Sequence, residues 1–216
     1  MSYFEYVRKN ETNTAREEIE EIIKEVQDLL RDDFTFQFHI IGSAKRKMIT
    51  REVNGNRGFD FDYDLEPNCN AGKYTAKQIK DKFRNAIDKA ARKHNYKPAE
   101  DSTRVITIKQ FDYIPLVSGN RIYNSCDFAI VRYVNGQKQY LHNDKFGSAY
   151  LWEPFPDEYM NLERKAEIIR KNGKWMDVRN MYLNLKSNNS NPEKKSRMLY
   201  AEAVNNVFDK YGLKLK

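Results

Sequence analysis

The chain has 216 residues, 40% hydrophobic and 13% aromatic, enough for one sizeable domain or a small two-lobed one and too apolar for disorder. Its formal charge of +7 favours an anionic partner such as nucleic acid, nucleotide or phosphate. The two cysteines make no CxxC motif, His39, His94 and His142 lack metal-ligand spacing, and no run approaches about 18 apolar residues, which argues against a disulfide framework, a zinc site and a membrane span.

Thr14-Ala15-Arg16-Glu17 reads as a capping box, opening a helix with Ile19, Ile22, Ile23, Val26, Leu29 and Leu30 on one face. In "FTFQFHIIGS", Phe34, Phe36, Phe38 and Ile40 alternate with Thr35, Gln37 and His39, a strand that ends at Gly42-Ser43. Residues 44–58 are basic and end in the turn-rich Asn54-Gly55-Asn56-Arg57-Gly58. Next comes "RGFDFDYDLEPN" (57–68). As a strand it puts Phe59, Phe61, Tyr63 and Leu65 on one face and Asp60, Asp62 and Asp64 on the other. Thr75 and Gln78 form a second capping box, opening a helix with Ile79, Phe83, Ile87 and Ala90 together. Strands follow at 103–110 and 123–134, the second entering a hairpin at Asn135-Gly136. From about residue 157 the pattern is helical: 157–171, 175–187, and Pro192 to Tyr211, stopping at Gly212. The expected architecture is α+β, a mixed or antiparallel sheet flanked by helices over 1–150, followed by an all-helical lobe over 151–216.

Three features carry chemistry. A strand ending in Gly-Ser lets backbone approach closely, and the hydroxyl with free N–H groups can hold a phosphate; by itself the dipeptide is also an ordinary turn. Aspartate is depleted from strands, yet β-alternation lines up three of them with no cation between. Hard divalent cations take such oxygen ligands, whereas an edge strand that merely repels partners more naturally uses Lys or mixed signs. Asp127 is a lone charge inside the apolar run "CDFAIV", costly unless bound to metal or paired with Arg132 or Lys138.

Read together as strand-Gly-Ser, strand-Asp-x-Asp and strand-Asp, "HIIGS", "FDYDL" and "CDFAIV" resemble the DNA polymerase beta-like nucleotidyltransferase superfamily. The resemblance covers residues 34–134 and implies a nucleotidyltransferase-like fold that moves an NMP from an NTP to an acceptor hydroxyl, releasing pyrophosphate. It implies that Gly42 and Ser43 grip the triphosphate, that Asp62 and Asp64 hold two Mg²⁺ ions (Mn²⁺ as substitute), and that Asp127 binds the acceptor-side metal and takes the hydroxyl proton. Asp60-Phe61-Asp62 fits the same pattern; Asp62/Asp64 is preferred because Leu65 follows directly. Ser43 and Asp62 are separated by 18 residues, a long connector whose Lys45, Arg46, Lys47, Arg51 and Arg57 either reach the triphosphate or form a solvated basic loop.

In the tail, Arg179, Lys186, Lys194, Lys195 and Ser196 are weaker candidates for triphosphate or acceptor contact. Tyr133, Tyr140, Trp152 and Phe155 are candidates to stack a base. The basic loop and tail favour RNA or a second nucleotide as acceptor, in a soluble cytoplasmic enzyme with no membrane partner. The alternatives are a non-catalytic RNA-binding module and a metal-dependent nuclease, although the loop "KRKMITREVNGNR" lacks the aromatics that base stacking needs.

Overall fold

The computed structural model describes residues 3–53, 55, 58–69, 72–113, 120–144, 149–156 and 158–215. In chain order the elements are β1 (Tyr3–Tyr6), α1 (Lys9–Leu30), β2 (Thr35–Ile41), α2 (Gly42–Lys45), β3 (Thr50–Val53), β4 (Phe59–Asn68), α3 (Ala76–Lys93), β5 (Glu100–Asp101), β6 (Val105–Tyr113), β7 (Asn120–Val134), β8 (Gln137–Asn143), β9 (Tyr150–Pro154), α4 (Glu158–Lys171), α5 (Trp175–Ser187) and α6 (Ser196–Lys210). Contacts divide the chain into two compact units, one of Val7–Arg51 and Asn56–Phe155, the other of Met1–Tyr6, Glu52–Gly55 and Pro156–Lys216. Strand β9, which a boundary at 150 assigns to the helical lobe, belongs to the sheet unit, and the first six residues belong to the helical one.

In the sheet unit the strand order is β2-β4-β7-β6-β5, with β8 pairing the far end of β7 and β9 pairing β8. Strands β4 and β7 run parallel, while β2–β4 and β6–β7 are antiparallel. The alternation in β4 has the expected consequence. Phe59, Phe61, Tyr63 and Leu65 are buried in one cluster with Ile19, Ile22, Ile23 and Val26 of α1 and Ile79, Phe83 and Ile87 of α3. The Phe36 and Phe83 rings meet edge to face at 5.0 Å. Each such burial contributes about 1.5–3 kcal/mol, so a one-residue register slip, which would turn the aspartates inward, is strongly disfavoured. Lys80 of α3 is also buried, its ammonium held by Asp101, the Ser102 carbonyl and Asn143.

Two capping readings separate here. Thr75 and Gln78 form the reciprocal box, Gln78 N–H donating to Thr75 Oγ1 at 3.2 Å and Thr75 N–H to Gln78 Oε1 at 2.8 Å. Thr14 does not start its helix, because α1 begins at Lys9 and Thr14 Oγ1 donates back to the Asn10 carbonyl at 3.2 Å, inside the helix. The hairpin forms as read, with Asn135 at φ 51° and Gly136 at φ 77°, the left-handed pair that a two-residue turn between twisted strands requires. The connector after Gly42 is not all loop: it contains α2 and β3, and Arg51 is paired with Glu11 at 2.5 Å. Asn54, Asn56 and Arg57 of the expected turn lie outside the described residues, as does Asp157 at the start of the first tail helix.

The helical unit packs Ala166, Ile169, Val178, Tyr182, Leu199, Ala203, Val204 and Val207 into its core. Strand β1 joins it through Tyr6 Oη, which donates to the Arg179 carbonyl at 2.8 Å, and Phe4 N–H, which donates to Ser187 Oγ at 3.1 Å. Helix α6 starts at Ser196 rather than Pro192. Asn189 and Asn191 hold the intervening residues in side-chain-capped turns, with Glu193 N–H donating to Asn191 Oδ1 at 2.9 Å.

Candidate active site

The parallel register of β4 and β7 sets the site. It places Asp62 level with Asp127, Asp60 level with Ser125 and Asp64 level with Ala129. Partners in register share a face, so all four aspartates lie on the side of the sheet away from the α1–α3 core. Asp127 is steadied from its other neighbour, Thr107 Oγ1 of β6 donating to Asp127 Oδ1 at 2.6 Å. Ser125 Oγ donates to Asp60.

Gly42 closes the site from above. Its φ of 63° is left-handed, and a Cβ there would lie 1.9 Å from Asp62 Oδ2. A side chain is therefore excluded twice, by conformation and by the carboxylate beneath it. Ser43 follows in the short helix α2, and Arg46 caps its end.

The electrostatics follow from this crowding. Burial pushes the Asp62 carboxyl up to about 6, and the neighbouring charges of Asp127, Asp60 and Asp64 push the same way against the Arg46 guanidinium. Asp127 is also raised, by burial first; the Thr107 hydrogen bond opposes this and the Asp60 charge adds to it. Asp64 is different. It is 5% exposed, and its Oδ2 lies 2.5 Å from Lys138 Nζ. Of the two partners the sequence offered Asp127, Arg132 stacks on Trp152 and Lys138 goes to Asp64.

Among the described residues, no group of three or more His, Cys, Asp or Glu side chains is gathered as a metal-holding cluster. That holds for the expected trio of Asp62, Asp64 and Asp127 and equally for the trio with Asp60 in place of Asp64, although the charges of Asp127, Asp60 and Asp64 all reach Asp62. Asp60 and Asp64 both raise Asp62 through their charge, and Asp60 raises Asp127 as well. Lys45 is exposed at the end of α2. The other expected phosphate contacts belong to the helical unit: Lys186 Nζ lies 4.8 Å over the Phe4 ring, Lys195 donates to the Pro192 carbonyl at 2.9 Å, and Ser196 opens α6. There too Arg179 stacks on Tyr6 at 4.0 Å and Lys194 pairs with Glu202. Sequence reasoning passed over Thr107 and Ser125, which are recognisable only once β6, β7 and β4 are in register.

No family model matches the sequence, and no curated protein matches it by sequence search. Solved structures do match. They include DncV of Vibrio cholerae in its GTP-bound form, at 16% identity over 94% of this chain and 52% of that one, with a TM-score of 0.57. DncV of Escherichia coli bound to 3'-deoxy GTP matches at 14% identity, 94% and 54% coverage and a TM-score of 0.58. The CD-NTase CdnG of Bradyrhizobium diazoefficiens in complex with GTP matches at 12% identity, 89% and 64% coverage and a TM-score of 0.56. The fold is that of the DNA polymerase beta-like nucleotidyltransferases. In fold the chain is similar to DncV and the CD-NTases, and it spans about half the length of the DncV structures it matches.

Proposed function

We propose that this chain is a metal-dependent nucleotidyltransferase that moves an NMP from an NTP onto a hydroxyl of a second nucleotide and releases pyrophosphate. The observation that supports it best is the placement of Asp62 level with Asp127, directly beneath Gly42 of the Gly-Ser turn. The donor set suits Mg²⁺, with Mn²⁺ as substitute: hard oxygens on a face where burial first, and then the charges of Asp127, Asp60 and Asp64, hold Asp62 near 6, a charge that a divalent cation would offset. The residues that would hold it are Asp60, Asp62 and Asp127, because Asp64 is already neutralised by Lys138. Bound there, the metal would supply charge neutralisation for an in-line displacement at phosphorus.

The chain's own residues do the rest. Gly42 lets the turn approach the triphosphate, and Ser43 with Lys45 and Arg46 holds it. Asp127, fixed by Thr107, accepts the proton of the attacking hydroxyl as its oxygen bonds to the α-phosphorus and pyrophosphate leaves. A nucleotide is the favoured acceptor because one matching Vibrio cholerae structure is described as a di-nucleotide cyclase in complex with ATP and GTP.

The test is pyrophosphate release from each of the four NTPs with Mg²⁺, with and without RNA. Wild type should release it, and Asp62→Asn and Asp127→Asn should each lose about a hundredfold or more. Wild-type rates in both variants would overturn the assignment, and release only with RNA would move the acceptor to an RNA end.

A further inference from the structure

Strand β4 carries one aspartate more than the proposed chemistry uses. Asp64 is buried against Lys138, and an isolated buried pair is weak as a stabiliser because desolvation offsets the attraction. Its register partners are Ala129 on β7 and His39 on β2, and the His39 imidazole lies toward Glu66, at 3.9 Å.

The pair opens into a cavity of about 580 Å³ that is lined on the aspartate face by Tyr133, His39, Ile41 and Lys45 and on the α1 side by Arg16, Glu20, Phe38 and Tyr63. That volume falls within the range of about 300–1,000 Å³ usual for small-molecule sites. Among the described residues Asp64 has Lys138 as its hydrogen-bond partner, which leaves Oδ1 to accept, and the Lys138 ammonium keeps donors beyond the one it gives. Tyr133 supplies a face. Tyr140 faces Arg104, Trp152 faces Arg132 and Phe155 faces Lys138, each at 5.0 Å or less, whereas among the described residues no cation lies over Tyr133, which is 53% exposed. Tyr133 stands opposite Lys138 in the β7–β8 register and lines the same cavity as Asp64.

A carboxylate beside an ammonium, under an aromatic ring, is the complement of one base edge. Guanine offers N1–H and a 2-amino group to a carboxylate and O6 to an ammonium; adenine offers that carboxylate only its 6-amino group. Position selects the nucleotide. Asp64 stands one same-face step, about 7 Å, along the strand from Asp62. Ile41 and Lys45 flank Gly42 and Ser43, so the pocket lies on the side of the phosphate turn.

We infer that this cavity is the base pocket of the donor nucleotide, and that Asp64 and Lys138 select guanine. The inference rests on the nucleotidyltransferase reading. It is tested by titration calorimetry of GTP, inosine triphosphate (which lacks the 2-amino group), xanthosine triphosphate (2-oxo in its place) and ATP against the full chain with Mg²⁺. Wild type should bind GTP about tenfold tighter than inosine triphosphate. Asp64→Asn, which replaces an acceptor by a donor, should bring that ratio to about one and raise affinity for xanthosine triphosphate about tenfold, a gain that partial unfolding cannot mimic. The double variant Asp64→Asn/Lys138→Met, which leaves no charge unpaired, should keep a cooperative melt and bind the purine triphosphates without preference.

Equal binding of GTP and inosine triphosphate by wild type, or an unchanged ratio in Asp64→Asn, overturns the base pocket. If those results come with pyrophosphate release lost in Asp62→Asn, the transferase stands without it. If wild type neither binds nor turns over any NTP, both readings fall.

Discussion

Asp62 is held in two environments at once, a strand whose other face is core and a ladder of like charges. Its carboxyl sits near 6 in the folded chain against an ordinary 3.8. Between those values the folded state holds more protons than the unfolded one, so stability falls as pH rises through the window. The loss is complete above about 7 and totals about 3 kcal/mol, of which roughly 2 kcal/mol falls between pH 4 and 7.5. In EDTA, Tm should therefore fall by about 4–8 °C between pH 4 and pH 7.5. Mg²⁺ should restore it at pH 7.5, and Asp62→Asn should flatten both responses. Superimposable melting curves for wild type and Asp62→Asn would remove the strain on which the metal assignment depends. At this scale the order Gly42-Ser43, Asp-x-Asp, Asp127 was legible, because charge inside an apolar strand is conspicuous in sequence. Which aspartates stand together was not. Periodicity puts Asp60, Asp62 and Asp64 on one face without ranking them, and the ranking comes from Lys138, which lies 74 positions after Asp64 and beyond a hairpin.

The two threonines that share a capping pattern divide once the helices exist. Thr75 satisfies an orphan N–H at the start of α3, so Thr75→Ala should cost about 1 kcal/mol. Thr14 sits inside α1, where its hydroxyl bonds a carbonyl already used by the helix, so Thr14→Ala should change stability by less than about 0.5 kcal/mol. Urea unfolding of both variants measures the contrast; equal losses would mean that α1 begins at Thr14 in solution. The pair also shows why elements differ in legibility. Long runs with strong periodicity, α1, α3, β2 and β4, were readable within a few residues. Strands β1, β5 and β9 were not, being two to five residues long, too short for an alternation to show, and β1 also pairs with the distant β3. The true start of α6 was hidden by Asn side chains that build a turn where Pro192 suggested a helix.

For the whole molecule, the net charge of +7 coexists with a carboxylate cluster, and the two make opposite demands on an anionic substrate. Under the proposed function, triphosphate at the Gly-Ser turn would meet Lys45 and Arg46, a local pair of cations. A chain whose main partner is RNA would instead spread contacts over many phosphates. Salt separates these cases because each phosphate neutralised on a single strand contributes about −0.7 to the slope of log K against log salt. For GTP with constant Mg²⁺ the slope from 50 to 300 mM NaCl should be about −1 to −2, reflecting those two cations. A 20-nucleotide single-stranded RNA should bind weakly with a similarly shallow slope. A slope of about −4 or steeper for that RNA, with tighter binding than GTP, would mean that six or more phosphates are engaged at once. The basic charge would then serve an RNA surface, and the aspartate cluster would need a role other than nucleotide transfer to a second nucleotide.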